Sequence, residues 1–359
     1  MNPGALRASP AIVLANGAYR TPSGKTAHGL VRGSARFQVL AVVDASCAGR
    51  DAGEVLDGVT RGIPIRASLA EAIATAPRRP EWCVVGIATH GGKLSQELRA
   101  ELRQALAARL SVVNGLHEYA SEDPDLAVAA ARAGVTIVDV RKPKPKSDLH
   151  FFSGAIEHVR APRIAVLGMD CAVGKRTTAR MLVEACSKHG IRAEMIYTGQ
   201  TGWMQGSRFG IVLDSIVNDF VCGELEHAIV QCEAELAPDL MVLEGQSALR
   251  NPGGPCGAEL LLAGGAKGVV LQHVPGRKWF DGHAGHAIPP VGSEIELISF
   301  YGARTLAVAL NGEGLDAADL VKEQRELERE LDMPVIRPLA EGLGRLVPVV
   351  REFIGRTKP

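Results

Sequence analysis

Short runs of apolar residues, unbroken rather than alternating, recur along this chain, with helical patterns between them. In the first half "FQVLAVVD" (37–44), "GIPIRA" (62–67), "WCVVGIA" (82–88), "LSVVNGL" (110–116) and "VTIVDV" (135–140) read as strands. Helices are expected around 68–76, 95–109 and 123–133. A strand with one wet face alternates polar and apolar residues. An unbroken run needs cover on both faces, which crossover helices give to parallel strands. The rhythm stops in "RKPKPKSDLHFFSGAIEHVRAP" (141–162), where prolines and lysines break the pattern. It resumes in "RIAVLG" (163–168), "AEMIYTG" (193–199), "DLMVLEG" (239–245), "GVVLQHV" (268–274), "TLAVALN" (305–311) and "PVIRPL" (334–339). Helices are expected at about 174–189, 214–236, 256–264, 293–301, 316–331 and 342–354. The expected fold is therefore α/β, with parallel sheets in two tandem domains, 1–150 and 151–359. A chain of 359 residues suits two cores better than one. "KPKPK" reads as a proline-stiffened linker rather than a polyanion site.

Lys plus Arg (40) equals Asp plus Glu (40), so no overall field favours nucleic acid or a membrane surface, and a small-molecule substrate is expected. The seven cysteines are odd in number and include no C-x-x-C pair, which points to a reducing, cytoplasmic setting. No signal peptide is read at the N-terminus, and no apolar run reaches the roughly 18 residues of a membrane span. A symmetric homo-oligomer is expected, the usual form of soluble oligomers.

Two glycine-lysine pairs compete as phosphate loops. "GAYRTPSGKTAHG" (17–29) holds Gly24-Lys25-Thr26, but Gly29 and Gly33 follow closely and the next strand begins near Phe37. A surface loop is expected there, since a phosphate loop needs a helix N-terminus to supply oriented N–H groups. The second pair has that context. "RIAVLG" precedes it, and Lys175 opens "KRTTARMLVEACSKHG", with Met181, Leu182, Ala185 and Cys186 at helical spacing and Gly190 at the end. Gly168 and Gly174 let the backbone turn around an anion, and Lys175 adds a point charge.

Five residues separate Gly168 from Gly174, where a standard phosphate loop has four. "GMDCAVGK" thus resembles the longer loop of dethiobiotin synthetase and its relatives, Gly-Thr-Asp-Thr-x-Val-Gly-Lys-Thr. Those relatives carry an acid after a later strand, matched by Glu244 in "LMVLEGQS", and an asparagine that meets adenine, matched by Asn311 in "LAVALNGEG". The resemblance implies an adenine nucleotide held by Gly168, Asp170, Cys171, Gly174, Lys175, Arg176, Thr177, Thr178 and Asn311. Arg176 stands where a serine or threonine would hold magnesium. Its planar fork suits a phosphate held without metal, a description that fits coenzyme A as well as ATP.

Longer segments carry a second resemblance: "DVRKP" (139–143), "GMDCAVGKRTTA" (168–179), "TGQTGWMQG" (198–206), "LDSIVNDFVCGELEHAI" (213–229), "EGQSALRNPGGPCGAELL" (244–261) and "LQHVPGR" (271–277). "GRDAGEVLDG" (49–58) and "VNGLHE" (113–118) join them. The chain is similar to a family long catalogued as one of unknown function, with a Rossmann-like N-terminal domain and a P-loop NTPase-like C-terminal domain. Some of its members are described as D-glutamate N-acetyltransferases of the DgcN type. The resemblance implies transfer of an acetyl group from acetyl-CoA to the amino group of D-glutamate or a similar acidic D-amino acid.

N-acetylation requires a base for the ammonium, partners for the carboxylates and stabilisation of an oxyanion. Glu244 is the favoured base, with Asp214 and His273 as other candidates; Glu244 bracing the phosphate loop, or His273 as a satisfied core histidine, are the plainer readings. Gln200, Arg208, Gln246, Arg250 and Arg277 lie in loops after strands and are candidates for substrate binding, with Arg50 and His117 as further ones. Cys171 could carry the acetyl group, though direct transfer is expected. "HAGHAIPP" (283–290) lacks a completing ligand set, so no metal is expected and a mobile loop is read there. The competing functions are a magnesium- and ATP-dependent kinase or ligase related to dethiobiotin synthetase, and a non-catalytic nucleotide-binding regulator.

Overall fold

The computed structural model describes residues 8–88 and 90–357. These form two compact units: one runs to Pro143 and takes in Gln200–Ser207, and the other comprises Lys144–Gly199 and the chain from Arg208 onward. A division at a single point of the chain does not include that excursion.

The first unit is built on six parallel strands: β1 (Ser9–Leu14), β2 (Phe37–Val43), β3 (Ile65–Arg66), β4 (Trp82–Val85), β5 (Ser111–Asn114) and β6 (Ile137–Asp139). Their order is β3-β2-β1-β4-β5-β6. β1, absent from the sequence reading, is a central strand, and Ala11, Ile12, Val13 and Leu14 are wholly buried. Flanking helices begin where their caps dictate. Ser95 accepts a hydrogen bond from Leu98 N ahead of Gln96–Ala107, and Asp123 accepts from Asp125 N and Leu126 N ahead of Pro124–Ala133.

The segment read as a surface loop is instead the helix Lys25–Arg32, with Thr26, Ala27, Leu30 and Val31 buried. Burial of its apolar face and a bond from Ala27 N to Gly86 O at 2.8 Å hold it despite its glycines. The short helix Gln200–Gln205 packs into the same unit. Gln205 Nε2 donates to Gly29 O (2.6 Å) and Gly33 O (3.0 Å), and Ala35 N donates to Gln205 O (2.8 Å). The Arg36 guanidinium lies 4.0 Å from the Trp203 ring centre.

The second unit has seven parallel strands: β7 (Arg163–Gly168), β8 (Ala193–Tyr197), β9 (Phe209–Gly210), β10 (Leu240–Glu244), β11 (Gly268–His273), β12 (Arg304–Leu310) and β13 (Val335–Ile336). Their order is β13-β12-β11-β7-β10-β8-β9, with β7 in the middle. Leu167, Ile196, Leu225, Leu243 and Leu271 belong to its core. The stretch expected to be a linker is strapped to the helix Asn218–Leu236. Lys144 Nζ donates to the buried Glu224 (2.8 Å), His150 N donates to the same carboxylate (2.9 Å), and Ser153 N donates to the buried Glu226 (2.7 Å). A side chain at Gly223 would run into the His150 backbone, so that position needs glycine. Among the described residues no helix is long and apolar enough to cross a membrane.

Candidate functional site

β7 ends at Gly168, and the chain curls through Asp170–Gly174 before the 14-residue helix Lys175–Lys188 begins. Ala172 (φ +54°) and Gly174 (φ +109°) are both left-handed. For alanine that conformation costs about 1–2 kcal/mol, so the surrounding contacts must impose it. Asp170 supplies several of them. Its buried carboxylate takes Cys171 N (2.7 Å) and Asn251 Nδ2 (3.0 Å) on one oxygen, and Arg277 Nη1 (2.8 Å) and Asp281 N (2.8 Å) on the other. The curl ends where the first N–H groups of a long helix point back into it, the geometry of an anion site.

Lys175 is buried, and its Nζ donates to Asp170 O (2.6 Å) and Ser247 O (2.7 Å). Two glycines make room for its stem. A Cβ at Gly168 would lie 2.8 Å from Lys175 Cδ, and one at Gly245 would strike Val166 O. Ser247 is itself left-handed (φ +35°), so both backbone segments that hold the ammonium carry strain.

Glu244 closes β10, the strand beside β7, in register with Val166. It is buried, and Oε2 accepts Thr198 N at 3.0 Å. Thr198 Oγ1 donates to Glu244 O (2.7 Å) and accepts from Gln246 Nε2 (3.1 Å). Burial pushes the Glu244 carboxyl above its ordinary range, while the Arg176 charge, the Thr198 and Gly199 N–H groups and the Lys175 charge pull the other way. A desolvated carboxylate of this kind is a stronger base than an exposed one.

Other candidates are drawn into the scaffold of the loop. Thr178 Oγ1 donates to Gln272 Oε1 at 2.6 Å, and Thr177 beside it is part-buried. Asn311 Nδ2 donates to Val173 O (3.0 Å) and its Oδ1 accepts Glu313 N (3.0 Å), so both ends of the amide serve the protein. Arg277 spans Asp170, Cys171 O (2.9 Å) and Glu313 (2.8 Å). Arg250 neutralises the buried Glu294 at 2.6 Å and donates to Ser293. Cys171 Sγ lies 3.4 Å from Ser247 Oγ and 3.7 Å from Asn251 Nδ2.

His273 ends β11, and desolvation lowers its pKa to about 4, leaving a neutral ring that is a weak base. It is not the satisfied core histidine of the plainer reading, because the buried Nδ1 has no hydrogen-bond partner among the described residues. Asp214 lies exposed in the turn Leu213–Ser215, which hangs from the end of β8 through Leu213 N and Thr198 O (3.0 Å). The structure does not bring Arg208 to the loops. It precedes β9, whose Phe209 is level with Ile196, and pairs on the surface with Glu235 at 2.6 Å. Gln200 lies in the first unit, its Oε1 on Arg141 Nη2 at 2.9 Å; Arg50 and His117 are exposed in that unit.

The expected mobile loop at 283–290 is part of a hydrogen-bonded hairpin. Trp279 bridges Ala287, Phe280 N donates to His286 O (3.0 Å) and Ile288 N to Lys278 O (3.0 Å). Among the described residues no group of three or more His, Cys, Asp or Glu could hold a metal ion. Sequence reasoning did not assign Thr198, Gln272 and Asn251, which hold the loop and Glu244 in place. Thr198 and Asn251 lie in the "TGQTG" and "EGQSALRN" segments, where a signal was present.

Comparisons with known proteins agree with this architecture. Residues 45–143 match the Rossmann-like N-terminal domain, and residues 150–347 the P-loop C-terminal domain, of the domain of unknown function DUF1611. The chain is 29% identical over 277 residues to a Tritonibacter scottomollicae protein named D-glutamate N-acetyltransferase, covering 74% of this chain and 79% of that one. It is 26% identical over 278 residues to a Pseudoalteromonas protein of the same name, with the same coverage. The crystal structure of a DUF1611 family protein from Anabaena variabilis superposes with a TM-score of 0.88 at 29% identity, covering 96% of this chain and 99% of that one.

Proposed function

This chain belongs to the DUF1611 family, and on that premise we propose that it is an N-acetyltransferase moving the acetyl group of acetyl-CoA to the amino group of D-glutamate or a near relative. The observation that carries the reading is the buried carboxylate of Glu244 at the end of the strand beside the phosphate loop, where burial pushes its pKa upward. A substrate ammonium must lose a proton before nitrogen can attack, and a carboxylate whose pKa burial has raised takes that proton more readily than an ordinary one. The coenzyme's phosphates would lie at the N-terminus of Lys175–Lys188, where Lys175 and Arg176 supply charge and the backbone supplies N–H groups.

In direct transfer Glu244 takes one proton from the ammonium, the amine nitrogen bonds to the acetyl carbonyl carbon, the carbon–sulfur bond breaks, and the second nitrogen proton goes to the departing sulfur, so the coenzyme leaves as a thiol. Thr198 fixes the carboxylate through its N–H, and Gln246, tied to the Thr198 hydroxyl, is the amide proposed to meet a substrate carboxylate. Arg250 and Arg277 neutralise Glu294 and Asp170, so either would have to give up part of an ion pair to clamp substrate. All seven cysteines are free, which supports a reducing, cytoplasmic setting.

The test is incubation with acetyl-CoA and a panel of D- and L-amino acids, following free thiol with and without magnesium. Thiol release with D-glutamate is expected. No release with any amino acid, alongside magnesium-dependent ATP turnover, would replace this reading with a kinase or ligase. Mass spectrometry after acetyl-CoA alone checks the direct route: an unmodified Cys171, with activity surviving Cys171→Ala, is expected.

A further inference from the structure

A P-loop that works on magnesium nucleotides gives the hydroxyl directly after its lysine to the metal and offers an acid from a nearby strand. The residues at the usual positions for that ion do not fit it. The position after Lys175 is Arg176, which has no oxygen to offer. Thr178, two positions further on, is buried and donates its hydroxyl proton to Gln272 within the protein. Glu244, the acid of the neighbouring strand, is buried, with Oε2 on Thr198 N. Asp170, the acid inside the loop, is fully buried and holds four donors.

Among the charges that oppose the burial of Glu244, the Arg176 guanidinium comes first, ahead of Lys175. The loop offers an anion two side-chain cations, Lys175 and Arg176, where a lysine plus a magnesium ion would bring three positive charges. Two charges suit a phosphate ester or a pyrophosphate diester better than a triphosphate. A guanidinium fork also reads phosphate oxygens directly.

We propose that Arg176 is a built-in replacement for magnesium, and that it makes this loop selective for metal-free phosphate esters and against magnesium nucleoside triphosphates. The inference goes beyond acetyl transfer and does not depend on which acyl acceptor is used.

The experiment is calorimetric binding of coenzyme A, ADP and ATP to the full-length protein, each in EDTA and in excess magnesium. The wild-type protein is expected to bind coenzyme A in EDTA, with magnesium improving none of the three by more than about threefold. Arg176→Thr restores the hydroxyl. It is expected to lose about tenfold or more in coenzyme A affinity in EDTA, and to gain at least about tenfold in ATP affinity from magnesium. Arg176→Lys keeps a charge without the fork, and is expected to stay indifferent to magnesium with weaker binding throughout. The proposal is overturned by a tenfold magnesium gain for ATP on the wild type, by no wild-type binding of any of the three in EDTA, or by an Arg176→Thr protein that stays indifferent to magnesium. Should Arg176→Thr fail to fold by circular dichroism, the wild-type and Arg176→Lys titrations decide, and magnesium dependence in either overturns it. None of these measurements follows turnover, so a failed acetylation assay and a failed binding test are separate results.

Discussion

β1 with the helix Lys25–Arg32, and β7 with the helix Lys175–Lys188, are both inner parallel strands that lead to a helix opened by a lysine after a glycine. In both, a neighbouring strand ends with an acid at or just past its last residue: Asp44 after β2 and Glu244 on β10. The two turns are nonetheless used differently. In the first unit Ala27 N donates to Gly86 O and Ala88 N to Ser23 O, both at 2.8 Å, so backbone from the loop after β4 is bonded across the turn and the helix start. A Cβ at Gly86 would lie 2.5 Å from Val13 and 2.8 Å from Leu14 O, so that loop sits directly on the strand. Asp44 is fully buried and takes Tyr19 N (2.9 Å) and Ser46 N (2.9 Å), so its acid folds the turn. Lys25 is exposed. In the second unit the turn curls around a buried Lys175, and the neighbouring acid keeps a raised pKa. A glycine-lysine pair marks a helix start in both; what surrounds it decides whether the turn is crossed by other backbone or curls around a buried lysine.

The sharpest test of this contrast pairs the two acids. Glu244→Gln is expected to lower kcat/KM by about 10²–10⁴-fold, the usual span for losing a general base. Its folded pKa is raised, so the stability it contributes is present at low pH and lost as pH rises through that ionisation. Activity runs the other way and climbs with pH above the ordinary carboxylate range. Glu244→Gln should therefore remove that acid limb and raise the melting temperature near neutral pH. Asp44→Asn should lower the melting temperature and leave the limb in place. A Glu244→Gln protein with a normal pH–rate profile would end the assignment of the base.

The two lysines come next. Lys175→Ala is expected to weaken acetyl-CoA binding by about 100-fold, the scale for truncating a buried charged partner, and Lys25→Ala by no more than about threefold. Equal losses in calorimetry would mean both turns take part. Smaller effects separate the glycines. Gly86→Ala and Gly245→Ala should each cost about 1–3 kcal/mol in chemical denaturation through overpacking, but only Gly245→Ala, beside the Lys175 stem, should also weaken coenzyme binding. The smallest effect is expected for Arg208→Ala. An exposed ion pair contributes about 1 kcal/mol or less, so stability and kcat/KM should stay within about twofold to fivefold of wild type.

The parallel α/β architecture was legible because unbroken apolar runs have few other uses. β1 was not, because the run that forms it stands before Asn16-Gly17 and a segment dotted with Pro22, Gly29 and Gly33, which by propensity should not form a helix. That helix is held by burial and by the loop after β4, and neither is a local property. At the candidate site, the phosphate loop and Glu244 could be located because their cues are contiguous or lie at a strand end. The engagements of Arg250 and Arg277 could not, since Glu294 and Asp170 are 44 and 107 residues away in sequence. For the same reason nothing local shows that Thr198 joins Glu244 to Gln246, or that Asn311 bonds to the loop and not outward.

The excursion of Gln200–Ser207 into the first unit bears on how such a protein can be inherited. Two domains joined by one connector can be recombined as cassettes, each fused to a new neighbour with its core intact. Here a crossover between Pro143 and Lys144 would strip the first unit of Trp203, Met204 and Gln205, leaving Gly29 O and Gly33 O without their donor. It would leave the other product carrying a helix whose Thr201, Met204 and Gln205 have no core to enter. The eight-residue loan binds the two halves into one unit of selection: they are expected to occur together, in this order, and to tolerate shuffling only when the loan travels with its borrower.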